Sequence, residues 1–250
     1  MDDLQLLRYS RHLLLDALGP DAQARFADAR ALIVGVGGLG NPAAQFLSSA
    51  GIGRLTLVDA DSVDLTNLQR QILFDMADVG SPKVEAAARR LAAINPEPEI
   101  VALTRRVGPG ELAAHVSDAD VVLDCTDNFA TRHAINRACV AARVPLVSGA
   151  AIRFDGQIAV FDPRDPLSPC YHCLFGEGEE LEETRCATMG VFAPLVGIVG
   201  AAQAGEALKL VAGVGTSLAG RLLLYDALAS SWRDLKVPRD PSCAVCGSRT

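Results

Sequence analysis

The chain has 250 residues, half of them apolar, and a formal net charge of −7 at neutral pH. That length suffices for one sizeable core, and the acidic balance offers no basic excess to neutralise a nucleic-acid backbone. Seven cysteines in so long a chain do not read as a disulfide framework, and the charged start "MDDLQLLRYSRHLLL" has no signal-peptide cleavage site, so a cytoplasmic location is expected.

Asp3 to Leu15 predicts an amphipathic N-terminal helix, with Leu4, Leu7, Leu14 and Leu15 at helical spacing and Arg8, Arg11 and His12 on its polar side. Ala31–Val36 reads as a buried strand stopped by glycines, Leu39–Ala50 as a helix ended by Gly51-Ile52-Gly53, and Arg54–Asp61 as a second strand. Pro82 suits the first turn of a helix that ends near Asn95. Glu99–Val107 and Ala119–Asp127 are strands, Phe129–Ala142 a helix, and Val144–Ile152 and Gly156–Pro163 two further strands. Strands alternating with helices predict an α/β fold, Rossmann-like, with a doubly wound and mostly parallel sheet.

Beyond Pro163 the pattern changes. Gly176–Glu183 is an acidic, glycine-bearing stretch that reads as a mobile loop. Val191–Gly213 is long and apolar, but Gln203, Glu206 and Lys209 interrupt it, and a charge near a bilayer centre costs about 2.5–3.5 kcal/mol. Gly197, Gly200 and Gly205 suggest close packing, so the segment reads as a buried helix and no membrane partner is expected. Arg221–Val237 reads as a hairpin. The whole is expected to be one domain over residues 1–250, a nucleotide-binding core over 1–163 followed by a metal-clipped portion over 164–250.

Gly35-Val36-Gly37-Gly38-Leu39-Gly40 is a G-x-G-x-x-G with one extra glycine. Gly35 permits the tight turn after the strand, Gly37 and Gly38 let backbone amides approach a phosphate, and Gly40 lets helix and strand pack closely. Asp59 ends the second strand, about 20 residues on, where an acid bonds ribose hydroxyls. These features predict a nucleotide without saying which, since NAD, FAD and ATP share a ribose. The cluster Asp61, Asn67, Gln69, Arg70 and Gln71 is either a solvated loop or, with Lys83, a source of cations for a triphosphate, as phosphoryl-transfer chemistry requires. Asp124 and Asp127 close a strand in the crevice where ligands sit, and a carboxylate there could hold Mg²⁺. Asn128 is a candidate ligand contact or a helix cap.

Cys170/Cys173 and Cys243/Cys246 form two C-x-x-C pairs, the pattern of a closed Cys₄ zinc site. His172 then reads as a neighbour of the shell, and the redox alternative lacks its usual place at a helix start after a strand. Cys125 and Cys139 read as small buried residues. Cys186 is either an inert thiol or, with Arg185 beside it, a reactive one.

Taken together, "LRYSRHLLL", "VGVGGLG", "LVDAD", "NLQRQ", Pro82-Lys83, "DCTDN", "SGAAI", "CYHC" and "CAVC" resemble the ubiquitin-activating-enzyme-like adenylyltransferases of sulfur carrier proteins, over almost the whole chain. The resemblance implies that the C-terminal Gly-Gly carboxylate of a ubiquitin-like sulfur carrier attacks the α-phosphate of ATP, giving an acyl-adenylate and pyrophosphate. It implies ribose binding by Asp59, phosphate approach at Gly38 and Gly40, and triphosphate binding by Asn67, Arg70 and Lys83. Asp61, Gln71 and Asn128 complete the expected nucleotide set. Asp127 is implied to place Mg²⁺, and Arg11 to reach the neighbouring subunit's site in a homodimer. A cysteine desulfurase or rhodanese is the implied sulfur donor, and Cys186 a candidate for covalent linkage. "VPLVSGAAIRFDGQI" and "GVFAPLVGIVG" resemble the molybdopterin branch, while "SSWRDL" and "ADVVLDCTDNFATR" also resemble the thiazole branch. Two other classes remain to be weighed: an NAD- or FAD-dependent oxidoreductase, on the glycine turn and Asp59 alone, and a non-catalytic scaffold for a ubiquitin-like partner, which the retained polar set argues against.

Overall fold

The computed structural model describes residues 1–176 and 189–248. Its centre is an eight-stranded sheet in the order β3-β2-β1-β4-β5-β6-β7-β8. The strands are β1 (Arg30–Val34), β2 (Arg54–Val58), β3 (Glu99–Leu103), β4 (Val121–Asp124), β5 (Leu146–Ile152), β6 (Asp155–Phe161), β7 (Arg221–Asp226) and β8 (Ser231–Lys236). From β3 to β5 the neighbours are parallel; from β5 to β8 they are antiparallel. The mostly parallel sheet is therefore a mixed one, its last three strands added as a meander.

The parallel strands are apolar on both faces because helices cover both. Ile33, Leu57, Leu123 and Val147 face a core built with α3 (Gly19–Asp28), α4 (Gly40–Ala50), α5 (Lys83–Ile94) and α9 (Ala193–Ala212). Leu32, Val34, Val122 and Leu146 face a second core with α6 (Pro109–Ser117) and α7 (Phe129–Ala142). A short α8 (Tyr171–Leu174) packs against α7. Both α3 and α6 stand where no helix was predicted; each is short and opens with proline in its first turn.

The expected single N-terminal helix is two, α1 (Asp3–Arg8) and α2 (Ser10–Leu13), broken at Tyr9. The Tyr9 ring is buried, its hydroxyl accepting from Asn95 Nδ2 at 3.0 Å and donating to Glu97 at 3.2 Å. The leucine stripe that predicted the helix does not pack on this chain: Leu4, Leu7, Leu14 and Leu15 are exposed. The third and fourth strands are shorter than predicted, ending at Leu103 and Asp124. Their last partners, Val58 and Val34, are where β2 and β1 themselves end. Cys125 to Asn128 is thereby freed as a loop at the carboxyl end of the sheet.

Helix α9 is long and apolar enough to cross a membrane by length and composition, yet half of it is buried inside the protein. Its polar residues have protein partners. Gln203 donates to the carbonyls of Asp124 (2.9 Å) and Val147 (3.2 Å), and Glu206 accepts from the Leu218 amide at 2.9 Å. Of its three glycines, only Gly200 is there for packing: a Cβ would stand 2.3 Å from the Leu39 carbonyl oxygen, whereas Gly197 and Gly205 face open space.

A close backbone approach joins the start of α4 to the turn after β1. A Cβ on Gly40 would lie 2.0 Å from the Gly35 carbonyl oxygen, while one on Gly37 would meet nothing closer than 3.6 Å. Chemical denaturation should therefore separate two single-methyl variants. Gly40→Ala is expected to lose about 1–3 kcal/mol or more, as overpacking does. Gly37→Ala is expected to stay within about 0.5 kcal/mol of the parent. Equal losses would refute this reading of the turn.

Candidate active site

The glycine turn joins the carboxyl end of β1 to the amino end of α4, so the amides of the helix start and its partial positive charge face the crevice. Gly35 has φ of +90°, and its missing Cβ would lie 2.6 Å from the Cys125 carbonyl oxygen. The turn thus lies directly against the loop after β4. Strand order reverses between β1 and β4, so the crevice sits at the topological switch of the sheet. Gly38 backs onto Val196 of α9, 3.0 Å from where a Cβ would be.

Asp59, the residue after β2, ties two turns together. One carboxylate oxygen accepts from the Val36 amide at 2.7 Å and the other from the Asp61 amide at 2.9 Å. Asn41, buried at the start of α4, staples a third segment: Nδ2 donates to the Val36 carbonyl at 2.8 Å, and Oδ1 accepts from the Leu73 amide at 2.8 Å. The loop carrying Asn67, Arg70 and Gln71 is held over the glycine turn by that staple. Within it, Asn67 accepts from the Asp64 amide at 3.1 Å, and Arg70 donates to the Thr66 carbonyl at 2.9 Å. Gln71 is buried and nearest to Gly37, and its side-chain oxygen takes no hydrogen bond among the described residues.

A short bridge between Ser62 and Pro82 brings the start of α5 back to the end of β2. Lys83 is buried there, with its ammonium 2.9 Å from Asp61. The site therefore holds a lysine among carboxylates at the same end of the sheet as the glycine turn.

Asp124 and Asp127 have different fates. Asp124 is fully buried and saturated: it accepts from the Thr126 amide (3.0 Å), the Thr126 hydroxyl (2.7 Å) and the Ser148 hydroxyl (3.0 Å). Asp127 is exposed at the crevice, one residue before Asn128. Asn128 is the cap of α7, accepting from the Thr131 amide at 2.9 Å.

Arg11 is not brought to the other residues. It is exposed on α2, whose neighbour Tyr9 lies against Gly51 at the far end of α4. Eleven residues of helix place that end about 16 Å from the glycine turn. Within one chain, Arg11 and the crevice lie at opposite ends of the sheet.

The four cysteines converge as expected. Their sulfurs all lie within 4.8 Å of one another, with 3.9 Å for Cys170–Cys173, 3.7 Å for Cys170–Cys243 and 3.4 Å for Cys173–Cys246. A tetrahedral thiolate shell with bonds of about 2.3 Å has sulfurs about 3.8 Å apart, so the cluster could hold a metal ion. Burial pushes the Cys170 and Cys173 thiols up. Cys246 is buried too, but hydrogen bonds from the other cysteines and Arg239 bring it down. A divalent cation would favour the thiolate form throughout. The shell has its own support: Asn136 of α7 donates to Cys170 Sγ at 3.6 Å and accepts from the Tyr171 amide at 2.9 Å.

Cys125 and Cys139 are buried, and burial pushes both thiols up, in keeping with inert residues. Cys186 and the acidic stretch from residue 177 lie outside the described residues. Sequence reasoning missed Asn41, Ser148, Arg132 and Asn136, which hold the site without pointing into it. Gln203 was visible only as an interruption of an apolar run.

The chain matches the ThiF family over residues 9–245. It is 48% identical to the molybdopterin-synthase adenylyltransferase of Escherichia coli K12, covering 99% of this chain and 98% of that one. It is 47% identical to the sulfur carrier protein ThiS adenylyltransferase of the same organism, covering 99% and 97%. The crystal structure of E. coli MccB with ATP superposes with a TM-score of 0.84 at 26% identity, covering 96% of this chain and 73% of that one. With a near-complete family match and two full-length relatives at these identities, the chain belongs to the ThiF family.

Proposed function

We propose that this enzyme adenylylates the C-terminal Gly-Gly carboxylate of a ubiquitin-like sulfur carrier protein, using ATP and releasing pyrophosphate, in molybdopterin biosynthesis. The observation that carries the reading is one crevice, at the switch point of the sheet, that gathers the glycine turn, Asp59, Lys83, the Arg70 loop and the Asp127 loop. Near-equal identity to adenylyltransferases of two carriers supports the reaction and leaves the thiazole carrier, or both carriers, as the alternative substrate. The ATP complex of MccB supports the nucleotide. An NAD- or FAD-dependent oxidoreductase would not need cations in this crevice.

In this reading the α4 amides near Gly38 and Gly40 receive the phosphates, and Asp59 and Asp61 the ribose side, with Asn67, Gln71 and Asn128 completing the nucleotide contacts. A carrier carboxylate oxygen forms a bond to the α-phosphorus as the bond to the β-phosphate's bridging oxygen breaks. Both reactants are anionic, so their approach is repulsive. Arg70 and Lys83 offset that repulsion and stabilise the departing pyrophosphate. The carboxylate is already ionised at neutral pH, and no general base is required. Mg²⁺ held near Asp127 would supply further charge neutralisation on the triphosphate.

Zinc is the metal that suits four thiolates in a tetrahedral shell, and residues 164–250 would form the carrier-binding, zinc-clipped portion beside the nucleotide core of 1–163. A homodimer accounts for two observations at once: Arg11 lies at the wrong end of its own sheet, and the leucines around it are exposed. Arg11 then completes the partner's site. Cys186 is the candidate for covalent linkage, and a cysteine desulfurase or rhodanese the class of sulfur donor. A location in the reducing cytoplasm suits a chain whose cysteines serve as a metal shell and as small buried residues.

ATP–pyrophosphate exchange with purified carriers ending in Gly-Gly tests the reading. Exchange is expected with a molybdopterin-type carrier, a thiazole-type carrier or both, and none with either would sink it. Asp127→Ala should lower exchange by about a hundredfold or more, on the scale of lost electrostatic stabilisation, with the fold retained. An unchanged rate would remove Asp127 from the mechanism. Metal analysis should find about one zinc per chain, as one closed Cys₄ shell requires. A metal-free, fully folded and active protein would contradict it.

A further inference from the structure

Residues 1–15 are held to the rest of the chain by few contacts. Helices α1 and α2 have 6 and 4 residues, and neither contains a buried one. Helices shorter than about 12–15 residues are marginal on their own in water. Among the described residues 1–15, Tyr9 alone is buried, and it stands at the break between the two helices. Its main chain joins them. The Tyr9 amide donates to the Gln5 carbonyl at 2.9 Å, and the Tyr9 carbonyl accepts from the His12 and Leu13 amides at 2.9 and 3.0 Å. Arg11 therefore sits on a single turn that hangs from the Tyr9 carbonyl.

The Tyr9 side chain meets the far ends of the two helices that begin at the crevice. Its ring lies beside Gly51, the cap of α4 with φ of +85°, where a Cβ would stand 2.7 Å from the hydroxyl oxygen. The hydroxyl accepts at 3.0 Å from Asn95, the buried cap of α5, and Asn95 Nδ2 also donates to the Ser48 carbonyl of α4 at 2.8 Å. The hydroxyl proton goes to Glu97 Oε2 at 3.2 Å, an oxygen that also accepts from Gln5 Nε2 of α1 at 3.0 Å. Arg8 adds a bond from Nη1 to the Ile94 carbonyl at 3.1 Å. An aromatic ring alone would fill the space beside Gly51. A hydroxyl with a donor on one side and a carboxylate on the other also fixes where the ring sits, since misplacing it leaves buried Asn95 short of a partner.

We propose that Tyr9 is the positioning residue for Arg11: its latch on Asn95 and Glu97 sets how that cation is presented to the crevice of a second copy. The latch ties the segment to the carboxyl ends of α4 and α5, whose amino ends carry the glycine turn and Lys83. The proposal rests on the reading of Arg11 as a group that completes the partner's site. Its structural half is tested without activity.

Tyr9→Phe keeps the ring beside Gly51 and removes only the hydroxyl. Glu97→Ala removes the shared acceptor from an exposed position and leaves the core untouched. In hydrogen-exchange measurements on the full chain, both variants should keep the protection of β1. Exchange of the amides of residues 5–13 should accelerate by about tenfold, as local opening predicts. The kcat for ATP–pyrophosphate exchange should fall by about tenfold with the KM for carrier unchanged, the mark of a group acting on the chemical step. Mixed pairs then show on which copy Tyr9 acts. Co-expressed with Asp127→Ala, Tyr9→Phe should recover about a quarter of the parental rate, the share of sites that random pairing gives an intact Asp127 and an intact Tyr9 on the opposite copy. Arg11→Ala co-expressed with Asp127→Ala should recover likewise. Recovery with Arg11→Ala but not with Tyr9→Phe would overturn the proposal, since Tyr9 would then act on its own crevice through α4 and α5. Unaltered protection of residues 5–13 in both variants would overturn it too. No recovery with Arg11→Ala would instead refute the reading of Arg11 in the partner's site, and the proposal with it.

Discussion

The site depends on the approach of two backbone segments, at Gly35 and Gly40, that leaves no room for a side chain. With 2.0 Å between the Gly35 carbonyl and the place of a Gly40 Cβ, α4 begins directly on the end of β1. This closeness aims the first amides of the helix at the crevice. It also lets Asp59 reach the Val36 amide from the next strand, and lets Asn41 bond both the turn and the Leu73 amide. Gly35 presses on Cys125 from the other side. Three loops from three parallel strands are thereby fixed against one another, before any ligand, by hydrogen bonds between 2.7 and 2.9 Å and one steric constraint. Such preorganisation is the physical requirement for phosphoryl-group chemistry, where positioning and charge do most of the work.

The elements with strong local signals were legible. β1, β2, α4, α7 and α9 announce themselves by apolar runs bounded by glycines, proline or a capping asparagine, and the terminal hairpin by its strand pattern. The four-cysteine cluster was legible because two short spacings constrain each pair, whatever the distance between the pairs. The short helices α3 and α6 were not, since about ten residues hold too few turns for periodicity to speak. Nor could the ends of β3 and β4 be read, because a strand stops where its neighbour's ladder stops. On the β1 side no pairing partner continues beyond Val34, although β5 on the other side runs on past Ser148 to Ile152.

The groups that hold the site were illegible for a different reason. Asn41, Arg132, Asn136 and Gln203 are buried polar residues within helices, and each is meaningful only through partners outside its own helix. Gln203 bonds the end of β4 and the middle of β5 across the core. Arg132 reaches back to the Thr126 carbonyl in the loop after β4. In sequence such a residue looks like noise on an amphipathic pattern. The N-terminal leucines give the converse case: a clean stripe predicted one amphipathic helix, but the helix is broken at Tyr9 and Leu4, Leu7, Leu14 and Leu15 are exposed.

These exposed leucines and the distant Arg11 bear on how the chemistry is partitioned. The glycine turn, Asp59, the Arg70 loop, Lys83 and the Asp127 loop come from residues 35–83 and 124–132, at one end of one sheet. A cation on α2 can serve that end only if another copy turns its amino end toward it. Self-association would then complete the charge balance for two anionic reactants, and the covered leucine face would supply the apolar area that holds the copies together. The same division explains why near-equal identity to the molybdopterin and thiazole relatives leaves the carrier open. In the proposed reading the crevice receives a carboxylate and a triphosphate, which both carriers' reactions share. Choice between carriers must rest on surfaces away from the reacting atoms, where a few substitutions change the partner without touching the turn, the cations or the knuckle.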